Sequence, residues 1–89
     1  MVALDLLGRR WALRVMWELR KGPLTFRALQ DACEKVSPTV LNTRLREFKE
    51  NGLIEKTEQG YALSRSGRNL RKALVPLYEW SQAWVRRPS

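Results

Sequence analysis

Thr39, Asn42, Thr43 and Arg46, with Lys49 at the margin, recur at three- and four-residue steps. On a helix turning about 100° per residue they gather on one side together with Glu50. Their chemistry is hydrogen bonding, through two hydroxyls, a carboxamide and a forked guanidinium. Arg matches the paired acceptors O6 and N7 of guanine, and Asn matches the donor and acceptor edge of adenine. Each such two-pronged contact is worth about 1–3 kcal/mol of discrimination. Ser37 and Thr39 fall where the helix would begin, and the partial positive charge of a helix start suits a phosphate. Lys56 and Arg65, further along, are candidate phosphate contacts of the ordinary cationic kind.

Other chemistry is scarce. The chain has no His and a single Cys, Cys33, which removes the commonest general base and the usual ligands of zinc. No metal or cofactor is expected, and the protein is not expected to be an enzyme. One cysteine also excludes an internal disulfide. The 17 Lys and Arg against 9 Asp and Glu leave a charge of +8 and a pI near 10.6. Such a surplus repels itself unless a polyanion answers it, and double-stranded DNA is the expected partner.

A chain of 89 residues hides only about 60–65% of its unfolded surface, so residues 1–89 are expected to form one domain. An apolar fraction of 44% with four Trp belongs to a packed globule, not a disordered chain. No charged leader precedes a long apolar stretch, and Leu4 to Leu7 is too short to cross a bilayer. No membrane partner is expected, and the expected location is cytoplasmic, on the nucleoid.

The reading side chains need a scaffold, and Gly and Pro divide the chain into five pieces. From Arg9 to Arg20, apolar residues at Trp11, Ala12, Leu13, Val15, Met16, Trp17 and Leu19 leave only Arg14 and Glu18 as a polar strip. That pattern predicts a helix buried on most sides. Lys21, Gly22 and Pro23 stop it. Thr25 then caps a short helix with Phe26, Leu29 and Cys33 at i, i+3 and i+7. After a turn through Glu34 and Lys35, Val36 to Gly52 carries the clearest signals: Ser37 as N-cap, Pro38 at the first helical position, Gly52 as the stop. Val36 and Leu41 fit a hydrophobic staple. Leu41, Leu45 and Phe48 form an apolar stripe, which turns the side holding Asn42 and Arg46 outward.

Leu53 to Thr57 and Tyr61 to Leu63 read as a hairpin joined by Glu58, Gln59 and Gly60. Ser64 or Ser66 caps a last helix in which Leu70, Ala73, Leu74, Leu77, Tyr78, Trp80, Ser81 and Trp84 recur at helical spacing. Pro76 removes one backbone hydrogen bond there and is expected to bend or split that helix near Val75.

Helix, short helix, turn, capped helix, hairpin and long helix is the order of a winged helix-turn-helix domain. This is a mainly α fold with a small β-hairpin, whose capped third helix enters the major groove. Trp11, Trp17, Trp80 and Trp84 are expected in the core or in a dimer interface. Burying terminal-helix tryptophans between two copies would relieve the marginal stability of a small core. Arg44 falls beside Leu41 and Phe48 and is expected to lie on the core and pair with Glu47 or Glu18 rather than reach a base. Cys33, on an apolar face, is expected to be buried and inert.

Three runs carry a likeness to a known family: Ala3-Leu4-Asp5-Leu6-Leu7-Gly8-Arg9-Arg10-Trp11-Ala12-Leu13, Gly22-Pro23-Leu24-Thr25-Phe26-Arg27-Ala28-Leu29, and Ser37-Pro38-Thr39-Val40-Leu41-Asn42-Thr43-Arg44-Leu45-Arg46-Glu47. Together they resemble the HxlR family of bacterial and archaeal transcription regulators. Tyr61-Ala62-Leu63-Ser64 followed by Gly67 extends the likeness over nearly the whole chain. The resemblance implies a homodimeric, MarR-related winged helix that binds operator DNA, with dimer contacts from the terminal helices. Here those helices carry Leu4, Leu7 and Trp11 at one end and Leu77, Trp80 and Trp84 at the other. Relatives usually have a Cys-Pro pair shortly before the position of Ala3, where this sequence has Met1 and Val2, so thiol sensing is not carried over. They also have a longer, Pro-rich wing loop in place of Glu58-Gln59-Gly60.

Two further readings fit the residues alone. One is a sequence-tolerant architectural DNA binder, since the positive charge is spread over every element and the wing tip lacks Lys and Arg. The other is a protein-interaction winged helix in which charge serves solubility. The tail Arg86-Arg87-Pro88-Ser89 reads as a frayed end.

Overall fold

Our computed structural model describes residues 2–86, excepting the side chains of 2–4 and 86. The Leu4 side chain and the tail beyond Arg86 therefore lie outside the described residues. The elements are α1 (Val2–Leu7), α2 (Ala12–Glu18) continued by a 3-10 turn (Leu19–Lys21), α3 (Phe26–Cys33), α4 (Pro38–Glu50), β1 (Ile54–Thr57), β2 (Gly60–Leu63) and α5 (Arg65–Arg86). This is the mainly α, hairpin-bearing winged helix order that the sequence predicts.

The helix expected from Arg9 starts only at Ala12. Trp11 sits at φ 71° in the left-handed region, Ala12 N donates to Arg9 O at 3.1 Å, and Arg9 N donates to Leu6 O at 3.3 Å. Gly8, Arg9, Arg10 and Trp11 thus form a corner between α1 and α2. A non-Gly residue in that region costs about 1–3 kcal/mol. Against this cost, the corner folds α1 back so that Leu6 joins Ala12, Val15 and Met16 in the core.

Local signals set most other boundaries. Thr25 Oγ1 accepts from Ala28 N, and Ser37 Oγ accepts from Val40 N, both at 3.1 Å. After α4, Gly52 at φ 72° lets Leu53 N reach back to Phe48 O at 2.9 Å and turns the chain into β1. Gly60 pairs with Thr57, so the turn is the two residues Glu58 and Gln59, and Gly60 belongs to β2. Leu24, in the linker before α3, donates to Tyr61 O at 2.9 Å and accepts from Tyr61 N at 2.7 Å. Those two bonds tie the hairpin to the body.

Leu29, Cys33, Leu41, Leu45 and Phe48 pack with Val15, Met16 and Leu19, and Ile54 and Leu63 of the hairpin close the core. α2 is buried on most sides, as expected, with Ala12, Val15 and Met16 buried and Trp17 and Glu18 half-buried, while Leu13 is 43% exposed beside a gap in front of α5. One expectation needs correction. Pro76 does not split α5, which runs unbroken from Arg65 to Arg86. Pro76 and Lys72, whose carbonyl loses its donor, are both exposed, so the freed group is solvated rather than orphaned.

Gly67, in the first turn of α5, has no room for a methyl group: a Cβ there would lie 2.0 Å from Leu53 O, an oxygen held by Ser64 N at 2.9 Å. Helix propensity alone favours Ala over Gly by about 1 kcal/mol. The contact reverses the sign, and Gly67→Ala is expected to lower stability by at least about 1 kcal/mol in urea unfolding. A midpoint at or above that of the native chain would contradict the close approach.

Candidate nucleic-acid interface

The buried stripe of Leu41, Leu45 and Phe48 decides which side of α4 faces out. Thr39, Asn42, Arg46 and Lys49 are exposed on that side, and Thr43 is half-buried. Neither the Asn42 carboxamide nor the Arg46 guanidinium has a partner among the described residues, so both are available to a ligand. The two hydroxyls differ in what they have left to offer. Thr43 Oγ1 donates to Thr39 O at 2.9 Å, which spends its hydrogen and leaves an acceptor and a methyl group. Ser37 Oγ accepts from Val40 N, so its own hydrogen stays free to donate to an anion.

Asn42, Arg46 and Lys49 meet the hairpin across an open cleft of about 300 Å3, lined also by Leu45, Lys56 and Tyr61. Lys56 Nζ stands over the Tyr61 ring, 4.4 Å from its centroid. The structure therefore joins three α4 candidates to one hairpin candidate. Ser37, Thr39 and Thr43 lie outside the cleft on the same helix, and Arg65 is exposed at the start of α5. Sequence reading assigned Tyr61 only to a strand. The signal for its place is the register, in which Lys56 and Tyr61 are cross-strand partners.

Three acidic groups are engaged away from the cleft. Glu47 takes both Arg9 and Arg44, Glu18 takes Arg14 at 2.7 Å, and Asp31 lies 3.9 Å from Arg27. Arg44 Nε also donates to Arg10 O at 2.9 Å, so Arg44 braces α4 against the N-terminal corner, as its place on the wheel predicts. Arg46, Lys49 and Lys56 have no carboxylate partner among the described residues, and the cleft keeps its positive charge. Cys33 is buried, and burial pushes its thiol above the ordinary value, which makes it a poor nucleophile at neutral pH.

The family model for the HxlR-like helix-turn-helix matches residues 6–89. The uncharacterised HTH-type transcriptional regulator YvaP of Bacillus subtilis is 26% identical over 90 residues, covering 93% of this chain and 83% of the relative. Among solved structures, a possible HxlR family transcriptional factor from Thermoplasma volcanium superposes with a TM-score of 0.89 at 27% identity, over 94% of this chain and 82% of that one. The quinone-bound YodB of Bacillus subtilis superposes with a TM-score of 0.77 at 30% identity, over 94% and 91% of the two chains.

The two neighbouring residues Arg46 and Glu47 are expected to behave oppositely in unfolding experiments. Glu47→Ala strands the half-buried Arg44 and is expected to cost roughly 1–3 kcal/mol. Arg46→Ala removes an unpartnered exposed side chain and is expected to stay within about 0.5 kcal/mol of the native chain. Equal losses in urea titrations would mean that Arg46 is part of the scaffold.

Proposed function

Because the chain belongs to the HxlR-like helix-turn-helix family of DNA-binding transcriptional regulators, we propose that it binds operator DNA as a homodimer, with one α4 in each of two successive major grooves about 34 Å apart. The observation that carries this reading is the cleft that collects Asn42, Arg46, Lys49 and Lys56 with no acid among them. Arg46 reads a guanine, Asn42 reads an adenine, and Thr43 offers an acceptor and a methyl group to neighbouring base edges. Ser37 and Thr39 at the helix start, with Lys49, Lys56 and Arg65, hold phosphates and set the register. The chain acts by occupying DNA rather than by catalysis, and it does so in the cytoplasm on the nucleoid. No helix among the described residues is long and apolar enough to cross a membrane.

Support for the second copy comes from α5. Leu77, Trp80 and Trp84 are 52%, 60% and 49% exposed, and the two Trp rings stack 6.0 Å apart at 17°. An exposed apolar stripe of this kind on a soluble chain marks a contact surface. Leu7 and Trp11, both half-buried near the other end of the chain, complete the interface, and Leu4 is assigned to it as well.

Selection of bound duplexes from a random library supplies the operator for the test. Arg46→Ala is expected to weaken binding to the selected duplex about 5- to 150-fold and to relax the preference at one base pair. Lys56→Ala and Arg65→Ala are expected to weaken selected and random duplexes alike, each lowering the salt slope by about one. An Arg46→Ala variant with unchanged preference removes the assignment of α4, whereas equal affinities and salt slopes of the native chain on both duplexes favour an architectural binder. For the dimer, sedimentation at micromolar concentration is expected to show twice the 10.4 kDa chain mass, and Trp80→Asp is expected to shift it to the monomer. A native species of one chain mass alone rules the dimer out.

A further inference from the structure

The main chain of Tyr61 is held from one side. Its N–H and C=O both engage Leu24, at 2.7 and 2.9 Å, so neither points at β1. Tyr61 therefore faces its register partner Lys56 as the closely spaced, non-hydrogen-bonded kind of antiparallel pair. The two side chains share the face on which Ile54 and Leu63 close the core, since each lies two residues away along its strand. Beyond the core that face becomes one wall of the cleft, across from Asn42, Arg46 and Lys49. Lys56 Nζ settles over the Tyr61 ring there.

The Tyr61 ring packs against the core, a role that a Phe ring would fill equally well. Its hydroxyl adds nothing to that packing. The phenol oxygen has no partner among the described residues. Nor is it sealed in, because the buried side-chain donor left unbonded among those residues is Arg71 Nε. A phenol is an uncharged donor, and this one stands in a cleft whose other polar groups are three cations and a carboxamide.

What the cleft receives follows from the shape of the duplex, given the assignment of α4 to the major groove. A sugar–phosphate strand borders that groove on each side, and the hairpin stands beside α4, so a bordering strand runs between helix and hairpin, along the cleft. We infer that Tyr61 is a further DNA contact, whose phenol donates to a phosphate of this strand while Lys49 and the ring-steadied Lys56 neutralise neighbouring phosphates. The inference rests on the operator reading and deepens it, because one of the contacts that set the register then carries no charge.

Tyr61→Phe deletes the donor and keeps the ring. In salt titrations on the selected duplex it is expected to bind about 5- to 20-fold more weakly, the worth of a hydrogen bond to a charged acceptor. Its salt slope is expected to equal that of the native chain, because no cation leaves the interface, whereas Lys56→Ala lowers the slope by about one. The base preference is expected to stay native. When a single neutral methylphosphonate is stepped along the bordering strand, the gap between the native chain and Tyr61→Phe is expected to shrink below about twofold at one position and to persist at the others. Native affinity in Tyr61→Phe, a lowered slope, a preference altered at one base pair, or a gap that persists at every methylphosphonate would each overturn the inference. A Tyr61→Phe chain that fails to fold overturns it too, since the hydroxyl then serves the scaffold. Failure of the operator reading looks different: Arg46→Ala keeps its preference, or the native chain selects no duplex. Where Arg46→Ala loses its preference and Tyr61→Phe binds as the native chain does, the Tyr61 contact alone is lost.

Discussion

Burial of Leu41, Leu45 and Phe48 fixes the rotation of α4 about its own axis, and the rest of the molecule is arranged around that choice. Each of these side chains gains about 1.5–3 kcal/mol on leaving water. Turning the helix by one residue would bring Asn42, Arg46 and Lys49 to the core in their place. Burying those groups without partners costs several kcal/mol more, so the two orientations are separated by far more than thermal energy. The outward presentation of the polar groups is thus a consequence of the inward preference of the apolar ones.

The distribution of charge follows a similar division. Two acidic side chains sit where a cation supports the scaffold, Glu47 between Arg9 and Arg44 and Glu18 beside Arg14. Exposed pairs of this kind add little stability. Arg44 is different, since it is half-buried and also bonded to Arg10 O. Through it the N-terminal corner and α4 are held as one body. Arg46, Lys49 and Lys56, which line the open cleft beside the hairpin, have no acidic partner among the described residues.

Features determined within a few residues were legible in the sequence. Ser37, Pro38 and Gly52 bracket α4 because a cap and a stop act through adjacent backbone groups, and the wheel of that helix separated Arg44 from Arg46 correctly. The corner at Trp11 was hidden, because the apolar period runs on from Arg9 to Arg20 and gives no sign of a break. The left-handed turn there is imposed by the burial of Leu6, a contact between elements. The gap in front of α5 was equally invisible, since periodicity reports which face is apolar and not whether the opposite helix fills it. Tyr61 was placed on a strand but not in the cleft, because its position depends on a register shifted by one residue at Gly60.

The bridge between Leu24 and Tyr61 is made by main-chain atoms alone, and the missing side chain at Gly60 lets the two segments meet, a Cβ there lying 2.4 Å from Leu24 O. The tilt of the wing is consequently insulated from side-chain identity at its tip. Glu58 and Gln59 can drift through evolution, acquiring or losing cations, while the angle at which the hairpin is aimed stays the same.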